Sequence, residues 1–180
     1  MSIFKMEMGT YILQRENFNL NRLFSELNAQ FTPKANEKQQ ILNFVQCGES
    51  LDFNEEQTFC GEKMYIRTML ENLIDNAIHA SPPAQVVTVE QKICDGSCLI
   101  DIHNYGVIPK DIRETFFDKY STSDKKYGTG LGTYSARLIA RSHDGDITYR
   151  TSEKEGTHIL ISLPMNKDIA IREKIMASKV

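Results

Sequence analysis

The sequence predicts an α+β fold: a two-layer α/β sandwich in which a mixed, mostly antiparallel sheet is covered by about three helices on one face. Helical and strand-like segments alternate irregularly along the chain, and the strands come in hairpins instead of repeated strand–helix–strand crossovers. The chain has 180 residues, of which 41% are hydrophobic. That is enough for one domain of ordinary size with a substantial core.

The N-terminal part of the chain predicts one helix and one strand. Residues 1–18 show no clear period, and within them 9–13 fits either a short strand or an extended link. From Asn19 onward, apolar residues recur on one side of a helix, and Pro33 is expected to end or kink that helix. Residues 41–45 are typical of a strand.

Three more helices are expected further along. A polar loop leads to a second substantial helix, which begins near Gly61 and is stopped by Pro82. A short helix is expected over 109–117 and a third substantial helix over 131–142. The second helix carries an apolar stripe for the core, formed by Ile66, Leu70, Leu73 and Ala77.

The remaining strand-like segments form two antiparallel hairpins. The first hairpin joins 86–93 to 98–103 around an Asp-Gly turn, and the second joins 147–151 to 158–163. Residues 165–180 could be helical, but no feature of the sequence fixes where they pack.

Composition excludes several classes of partner. The formal net charge is −3 with no block of like charges, so neither nucleic acid nor an anionic membrane is expected to bind. No apolar run approaches the ~20 residues that span a bilayer, and no signal-peptide pattern is present.

The four cysteines do not form a metal site or a disulfide framework. Cys47 and Cys60 stand alone, while Cys94 and Cys98 flank a turn without further ligands at metal-binding spacing. We therefore expect reduced thiols in a cytoplasmic protein.

A polar face on the second helix could hold a metal ion. Asn72, Asn76 and His79 lie at i, i+4 and i+7, so they share one side of the helix. Amide oxygens are ligands that Mg²⁺ accepts beside water and phosphate oxygens. The alternative is that these residues only fill a polar helix face, although two Asn in adjacent turns cost some helix stability. This helix alone leaves both interpretations open.

A glycine-rich turn directly precedes and opens the third helix. Gly128, Gly130 and Gly132 let the backbone approach an anion closely, and free N–H groups at a helix start attract negative charge. The segment is not a Walker phosphate loop, because no Gly-Lys-Ser/Thr follows, and no parallel strand–turn–helix unit surrounds it. Taken alone, this glycine-rich segment is slightly more typical of an ordinary turn than of a phosphate-binding site.

Together and in this order, 72–81 and 127–137 resemble the N box and second glycine box of the GHKL ATP-binding superfamily. The most similar branch is the catalytic domain of bacterial sensor histidine kinases. Segments 103–109, 116–120 and 155–157 resemble that family's first glycine box, F box and final Gly-Thr. The resemblance covers about 19–164 and implies a Bergerat-type sandwich that binds ATP with Mg²⁺.

The resemblance also implies roles for single residues. Asn76 would be the main Mg²⁺ ligand, with Asn72 one turn earlier assisting it, and His79 would face the phosphates. Segment 119–127 would be a mobile lid. Its possible phosphate contacts are Ser121, Thr122, Lys125 and Lys126, and Lys119 at its start is also expected to bind ATP. The phosphates would be cradled by the backbone of Thr129, Gly130, Leu131 and Gly132, and Thr157 would touch the adenine side.

Two positions depart from the family pattern. With Gly106 aligned to the first glycine of its box, Asn104 stands where the family has its adenine-reading Asp. An Asn oxygen can still accept from the adenine amino group, but without a charge. Asn72 stands where the ATP-hydrolysing and serine-phosphorylating branches have a Glu that acts as general base and activates water or a hydroxyl. An amide cannot take a proton at neutral pH. The adjacent Glu71 points about 100° away around the helix.

The resemblance therefore implies the ATP-binding catalytic domain of a two-component sensor histidine kinase. It would transfer the γ-phosphoryl group to a histidine on a phosphoacceptor domain outside this chain, upstream of a response regulator. The predicted division is 1–18 linker and end of the phosphoacceptor stalk, 19–164 catalytic domain, and 165–180 C-terminal extension. The fragment is expected to be a cytoplasmic monomer, although its parent protein could be attached to a membrane. The alternative, motivated by the altered first glycine box, is a degenerate nucleotide-binding or protein-interaction module without kinase activity.

Overall fold

The computed structural model describes residues 2–121 and 129–165. Part of the predicted lid and all but the first residue of the predicted C-terminal extension therefore lie outside the described residues. In chain order, the elements are α1 (Ser2–Glu7), β1 (Glu16–Asn19), α2 (Leu20–Glu37), β2 (Ile41–Gln46), β3 (Glu49–Ser50), β4 (Thr58–Gly61), α3 (Lys63–Ala80), β5 (Val86–Cys94), β6 (Ser97–Asn104), α4 (Gly132–Ser142), β7 (Asp146–Ser152) and β8 (Gly156–Pro164).

The main sheet has six strands in the order β3-β2-β5-β6-β8-β7. All of its neighbouring strands are antiparallel except β2 and β5, which run parallel. Both predicted hairpins are present, since β5 pairs with β6 and β7 pairs with β8. The predicted mixed, mostly antiparallel sheet is thus confirmed. Strands β1 and β4 form a separate two-stranded sheet.

Helices α2, α3 and α4 cover one face of the main sheet. Along β6, Cys98, Ile100 and Ile102 point into the core, whereas Leu99 between them is 40% exposed on the other face. The predicted stripe of α3 is fully buried against this inner face. The architecture therefore has two layers, and the strip of apolar residues on each covering helix supplies the second half of the core.

Helix α2 continues through Pro33 to Glu37, so the prediction that Pro33 could end it is wrong. A proline inside a helix removes one hydrogen bond. Here Phe31 and Ala35, on either side of it, are both buried in the core. The burial of these side chains holds the last turn in place despite the lost bond.

Three short strands were absent from the sequence expectation: β1, β4 and the two-residue β3. Strand β1 pairs with β4, which lies at the end of the predicted polar loop. Each has only four residues, too few to show the alternation that marks a strand. Residues 9–13 form an extended link, not a strand, and α1 precedes it with Met6 buried in the core. Ordered pairing therefore starts slightly before the predicted domain boundary at residue 19, which stays a prediction.

The helix expected over 109–117 is reduced to one 3₁₀ turn, Lys110–Ile112, followed by irregular turns. The backbone hydrogen bonds that follow are of the i→i+3 type, for example from the Thr115 N–H to the Ile112 carbonyl at 3.2 Å. Hydroxyls of residues distant in the chain hold this segment in place. The Tyr149 hydroxyl donates to the Arg113 carbonyl at 2.6 Å, and the Thr133 hydroxyl donates to the Phe116 carbonyl at 2.8 Å.

Among the residues that the structure describes, no helix is long and apolar enough to cross a membrane.

The start of α3 is joined to the end of α4 by a buried histidine. The backbone N–H of Glu62 donates to Nε2 of His143 at 3.1 Å, and Nδ1 of His143 bonds the Ile139 carbonyl at 2.8 Å. Because Nε2 accepts, the proton sits on Nδ1 and the ring is neutral. The Glu62 carboxylate in turn accepts from the Tyr11 hydroxyl and the Gln14 N–H, which ties the N-terminal link to the same point.

We expect His143 to make the fold sensitive to mild acid. Burial, the largest cause, lowers the pKa of His143 below its ordinary value of 6.5. The stability that its neutral form contributes is complete above about pH 6.5 and is lost as the pH falls through the lower folded pKa, with a slope of at most about 1.4 kcal/mol per pH unit. Urea unfolding of the protein and of His143→Gln, whose amide oxygen can still accept from Glu62, tests this between pH 7 and 5. A constant stability difference between the two proteins would contradict it.

Candidate nucleotide site

A cavity of about 400 Å³ opens between α3, the loop that follows β6 and the segment that precedes α4. This volume lies within the usual range for small-molecule sites, about 300–1,000 Å³. Most of the residues singled out from the sequence line it. These are Asn76, His79, Asn104, Gly106, Ser121, Thr129, Gly130, Gly132 and Thr157.

Three of the predicted residues that the structure describes are not in this wall. Asn72 lies one turn down α3, where its Cβ would be 3.9 Å from a Cβ built on Gly132. Leu131 and Lys119 lie outside the described cavity lining. Thr122 falls outside the described residues, as do Lys125 and Lys126 of the predicted lid.

The amides of α3 face the beginning of α4. The Nδ2 atom of Asn76 would lie 3.7 Å from a Cβ at Gly132, so the two elements almost touch here. No group of three or more His, Cys, Asp or Glu among the described residues could hold a metal ion. The donor set at this place is thus one or two neutral amides. That set fits Mg²⁺, which is usually held by few protein ligands and otherwise by water and substrate phosphates.

Helix α4 begins without a side-chain cap. Its N-cap residue is Leu131, which has no side-chain hydrogen-bond acceptor, and no cap bond is formed. The first intrahelical bond runs from the N–H of Ser135 to the Leu131 carbonyl at 2.8 Å. The three N–H groups before Ser135 have no intrahelical partner and, with the helix dipole, form a site for an anion.

The turn before α4 depends on one glycine. Gly130 has φ +67°, and a Cβ there would lie 2.5 Å from the backbone carbon of Tyr120. The Gly130 carbonyl accepts from the Tyr120 N–H at 2.9 Å, which closes the lid segment at its base. Both the positive φ and the close approach require a residue without a side chain.

The opposite end of the cavity is formed by the loop after β6. A Cβ on Gly106 would lie 2.2 Å from the Ala80 carbonyl oxygen, so this loop packs directly against the end of α3. Asn104 and Thr157 are 3% and 4% exposed. Both donate to the Gly106 carbonyl, Asn104 through Nδ2 at 3.4 Å and Thr157 through its hydroxyl at 2.7 Å.

Two residues that the sequence did not indicate hold the C-terminal end of α3, beside this end of the cavity. Lys38 donates from Nζ to the carbonyls of Ile78 and His79, at 2.7 and 2.9 Å. Gln40 donates to the Ser81 carbonyl at 2.7 Å. A cation at the end of a helix offsets its dipole, and burial is the main cause that lowers the pKa of Lys38. No local pattern reveals this role, because Lys38 and Gln40 lie about forty positions away from the helix end they hold.

Lys119 points to the N-terminal helix, not into the cavity. Its Nζ forms a salt bridge with Glu7 of α1 at 2.5 Å and lies 5.2 Å from the centre of the Tyr134 ring. Hydrogen bonding to Glu7 is the main cause that raises the pKa of Lys119, and the same bond lowers the pKa of Glu7. The predicted contact of Lys119 with ATP would require this pair to separate.

Glu71 is directed away from the cavity, into ion pairs between two helices. It accepts from Nε of Arg67 at 2.9 Å, and Arg67 also donates to Glu26 of α2. The described residues that line the cavity include neither Asp nor Glu. No described carboxylate is therefore placed to take a proton from water there.

This chain belongs to the family of histidine kinase-, DNA gyrase B- and HSP90-like ATPases, whose model matches residues 61–167. The resemblance to the GHKL superfamily is thus confirmed. Sensor protein DegM of Bacillus sp. (strain B21-2) is 27% identical over 152 residues, which cover 84% of this chain and 39% of that protein. Sensory/regulatory protein RpfC of Xanthomonas campestris pv. campestris is 25% identical over 191 residues, covering 100% of this chain and 25% of RpfC. The chain thus spans between a quarter and two fifths of the length of these relatives.

Solved structures have the same architecture. The nucleotide-free catalytic domain of histidine kinase ThkA is 25% identical with a TM-score of 0.72, over 84% of this chain and 96% of that domain. ThkA in complex with response regulator protein TrrA superimposes with a TM-score of 0.70 at 23% identity, over 91% of this chain and 46% of that one. The predicted fold class is confirmed by the first of these likenesses and agrees with the second.

Proposed function

We propose that this chain is the ATP-binding catalytic domain of a two-component sensor histidine kinase. It binds Mg-ATP and passes the γ-phosphoryl group to a histidine on a separate phosphoacceptor domain. The observation that carries the proposal is the cavity itself, which brings together segments that are far apart in the chain. These segments are the Asn-bearing face of α3, the loop after β6, the glycine turn and the start of β8.

The two ends of the cavity suit the two ends of ATP. Asn76, assisted by Asn72, would hold Mg²⁺ against the phosphates, next to the uncapped start of α4. The bound metal would neutralise phosphate charge and fix the geometry of transfer. Asn104 and Thr157 would face the adenine at the other end. The protein thus contributes binding and orientation, not a covalent step.

The acceptor that best suits this site is an imidazole. Water or a serine hydroxyl needs a base to become a nucleophile, and the described cavity lining offers no carboxylate. A neutral imidazole already carries a free lone pair at neutral pH. This comparison favours phosphoryl transfer to histidine over ATP hydrolysis or serine phosphorylation.

Calorimetric titration of the purified chain with ATP and Mg²⁺, with GTP as control, tests the first half of the proposal. We expect binding selective for ATP with a dissociation constant between micromolar and sub-millimolar, about −5 to −8 kcal/mol. Transfer of label from γ-labelled ATP to the phosphoacceptor domain of a similar sensor kinase tests the second half. Absence of ATP binding would favour the alternative, a protein-interaction module, which the uncharged Asn104 motivates.

The partners follow from the same proposal. A phosphoacceptor domain and, downstream, a response regulator would receive the phosphoryl group. ThkA, which has a similar catalytic domain, has been crystallised with the response regulator TrrA. We place the module in the cytoplasm, where ATP is available and thiols stay reduced, since all four cysteines are free.

A further inference from the structure

Two consecutive prolines remove hydrogen-bond donors from the end of α3. In an α-helix, the carbonyls of Ile78 and His79 would accept from the N–H groups four residues later, and those positions are Pro82 and Pro83. Proline has no backbone N–H. The helical pattern therefore cannot pair these two carbonyls, and their hydrogen bonds must come from elsewhere.

Lys38 supplies the donors that the prolines lack. Its Nζ donates to the carbonyls of Ile78 and His79 at 2.7 and 2.9 Å, and to the Ser81 carbonyl at 3.2 Å. These three acceptors match the three hydrogens of an ammonium group. Lys38 is the C-cap residue of α2, and it precedes β2, which pairs with β5 in the main sheet. The end of α3 is thus attached to the sheet through one side chain.

Gln40 shares part of this task but cannot replace Lys38. Its Nε2 donates to the carbonyls of Ile78, Ser81 and Pro82, at 3.1, 2.7 and 3.2 Å. An amide has only two hydrogens, so these are already divided among three acceptors. Loss of the Lys38 ammonium would leave fewer donors than carbonyls at this helix end, and a carbonyl without a partner favours a shift toward solvent.

The same helix end forms one wall of the base-facing part of the cavity. His79 and Ala80 line the cavity, as do Asn104 and Gly106 on the loop after β6. The two walls touch, because a Cβ on Gly106 would lie 2.2 Å from the Ala80 carbonyl oxygen. A shift of the last turn of α3 would therefore change the distance between the walls and the space left for a base.

We propose that Lys38 is a positioning residue for nucleotide binding, which holds the last turn of α3 at the distance from the loop after β6 that fits the base. Lys38 is not among the described residues that line the cavity, so it acts through His79 and Ala80. A wall that is not held in place must be ordered when the ligand binds, and this lowers the affinity. The inference rests on the proposed function, because it takes the base-facing end to hold adenine.

Lys38→Met tests this inference, because it keeps the length of the side chain and removes its three donors. We expect the KM for ATP, in transfer to a supplied phosphoacceptor domain, to rise by about fivefold, the factor that about one hydrogen bond supplies. The rate at saturating ATP should stay within about twofold, because the phosphates and the metal are held at the other end of the cavity. Lys38→Arg retains donors and should keep the KM close to that of the unchanged protein.

Lys34→Met is the matched control. It lies one turn earlier on α2 and removes an exposed ion pair with Asp75 of α3. We expect no change in the KM for ATP, because this pair does not bond the carbonyls at the end of α3. An equal rise in KM for Lys34→Met and Lys38→Met would overturn the inference, since any contact between the two helices would then suffice.

A role of Lys38 in stability alone gives a different result. It would reduce the amount of folded protein, which lowers the rate at saturating ATP and leaves the KM unchanged, and that outcome would overturn the inference. If Lys38→Met does not fold, Lys38→Gln, with a shorter and neutral side chain, gives the same readout with the same outcomes. Calorimetry of the unchanged protein separates the two proposals: absence of ATP binding there would overturn the proposed function, whereas ATP binding with an unchanged KM in Lys38→Met would overturn this inference alone.

Discussion

Replacing Asn76 with Ala is expected to abolish the magnesium dependence of ATP binding and to slow phosphoryl transfer by about a hundredfold or more. Asn76 is the amide that lines the cavity and lies beside the start of α4. Without it, the metal keeps only its water and phosphate ligands, and the γ-phosphoryl group is no longer held in line with its acceptor. Asn72→Ala should have a smaller effect, since Asn72 lies outside the cavity wall.

The measurement is transfer of label to a supplied phosphoacceptor domain at several magnesium concentrations. Asn36→Ala is a suitable control, because it makes the same chemical change at an exposed position of α2. Unaltered transfer by Asn76→Ala would show that the metal is held elsewhere. A parallel loss in the Asn36→Ala protein would point to a general defect in folding.

Two glycines of one motif are expected to respond in opposite directions to replacement by alanine. Gly130→Ala places a side chain at φ +67° and 2.5 Å from the Tyr120 backbone. The left-handed conformation alone costs roughly 1–2 kcal/mol, and relief of the contact costs more. Gly132→Ala meets nothing closer than 3.7 Å and lies in the first turn of α4. There, alanine is favoured over glycine by up to about 1 kcal/mol.

Urea unfolding of both variants measures these differences directly. We expect a lower free energy of unfolding for Gly130→Ala and an equal or higher one for Gly132→Ala. The pair is a matched control, since the change is identical and the positions are two residues apart. Equal destabilisation by both substitutions would contradict the prediction, because the different local geometry of the two positions would then have no effect on stability.

The sequence was sufficient for the main layers of the fold. The stripe on α3 and the two hairpins were predicted because their periods extend over many residues. Strands β1 and β4 were missed because four residues show no period. The helix expected over 109–117 was wrong, since this segment forms i→i+3 turns and its carbonyls also bond the hydroxyls of Thr133 and Tyr149, which are distant in the chain. A local sequence pattern does not indicate such tertiary contacts.

The candidate site likewise contains residues that the sequence could indicate and residues that only the structure reveals. Asn76 could be singled out because Asn is a mediocre helix former, and Gly130 because it belongs to a run of closely spaced glycines that opens a helix. The contact of Lys119 with Glu7 could not, because it joins the lid segment to a helix more than a hundred residues earlier.

The uncapped start of α4 has a consequence for local dynamics. Its first-turn amides, Gly132, Thr133 and Tyr134, precede the first intrahelical bond, so they should exchange with solvent deuterium faster than the rest of the helix. A bound triphosphate would occupy these amides and slow their exchange. Deuterium uptake at three consecutive residues would then report, in the unmodified protein, how often the phosphate end of the cavity is filled.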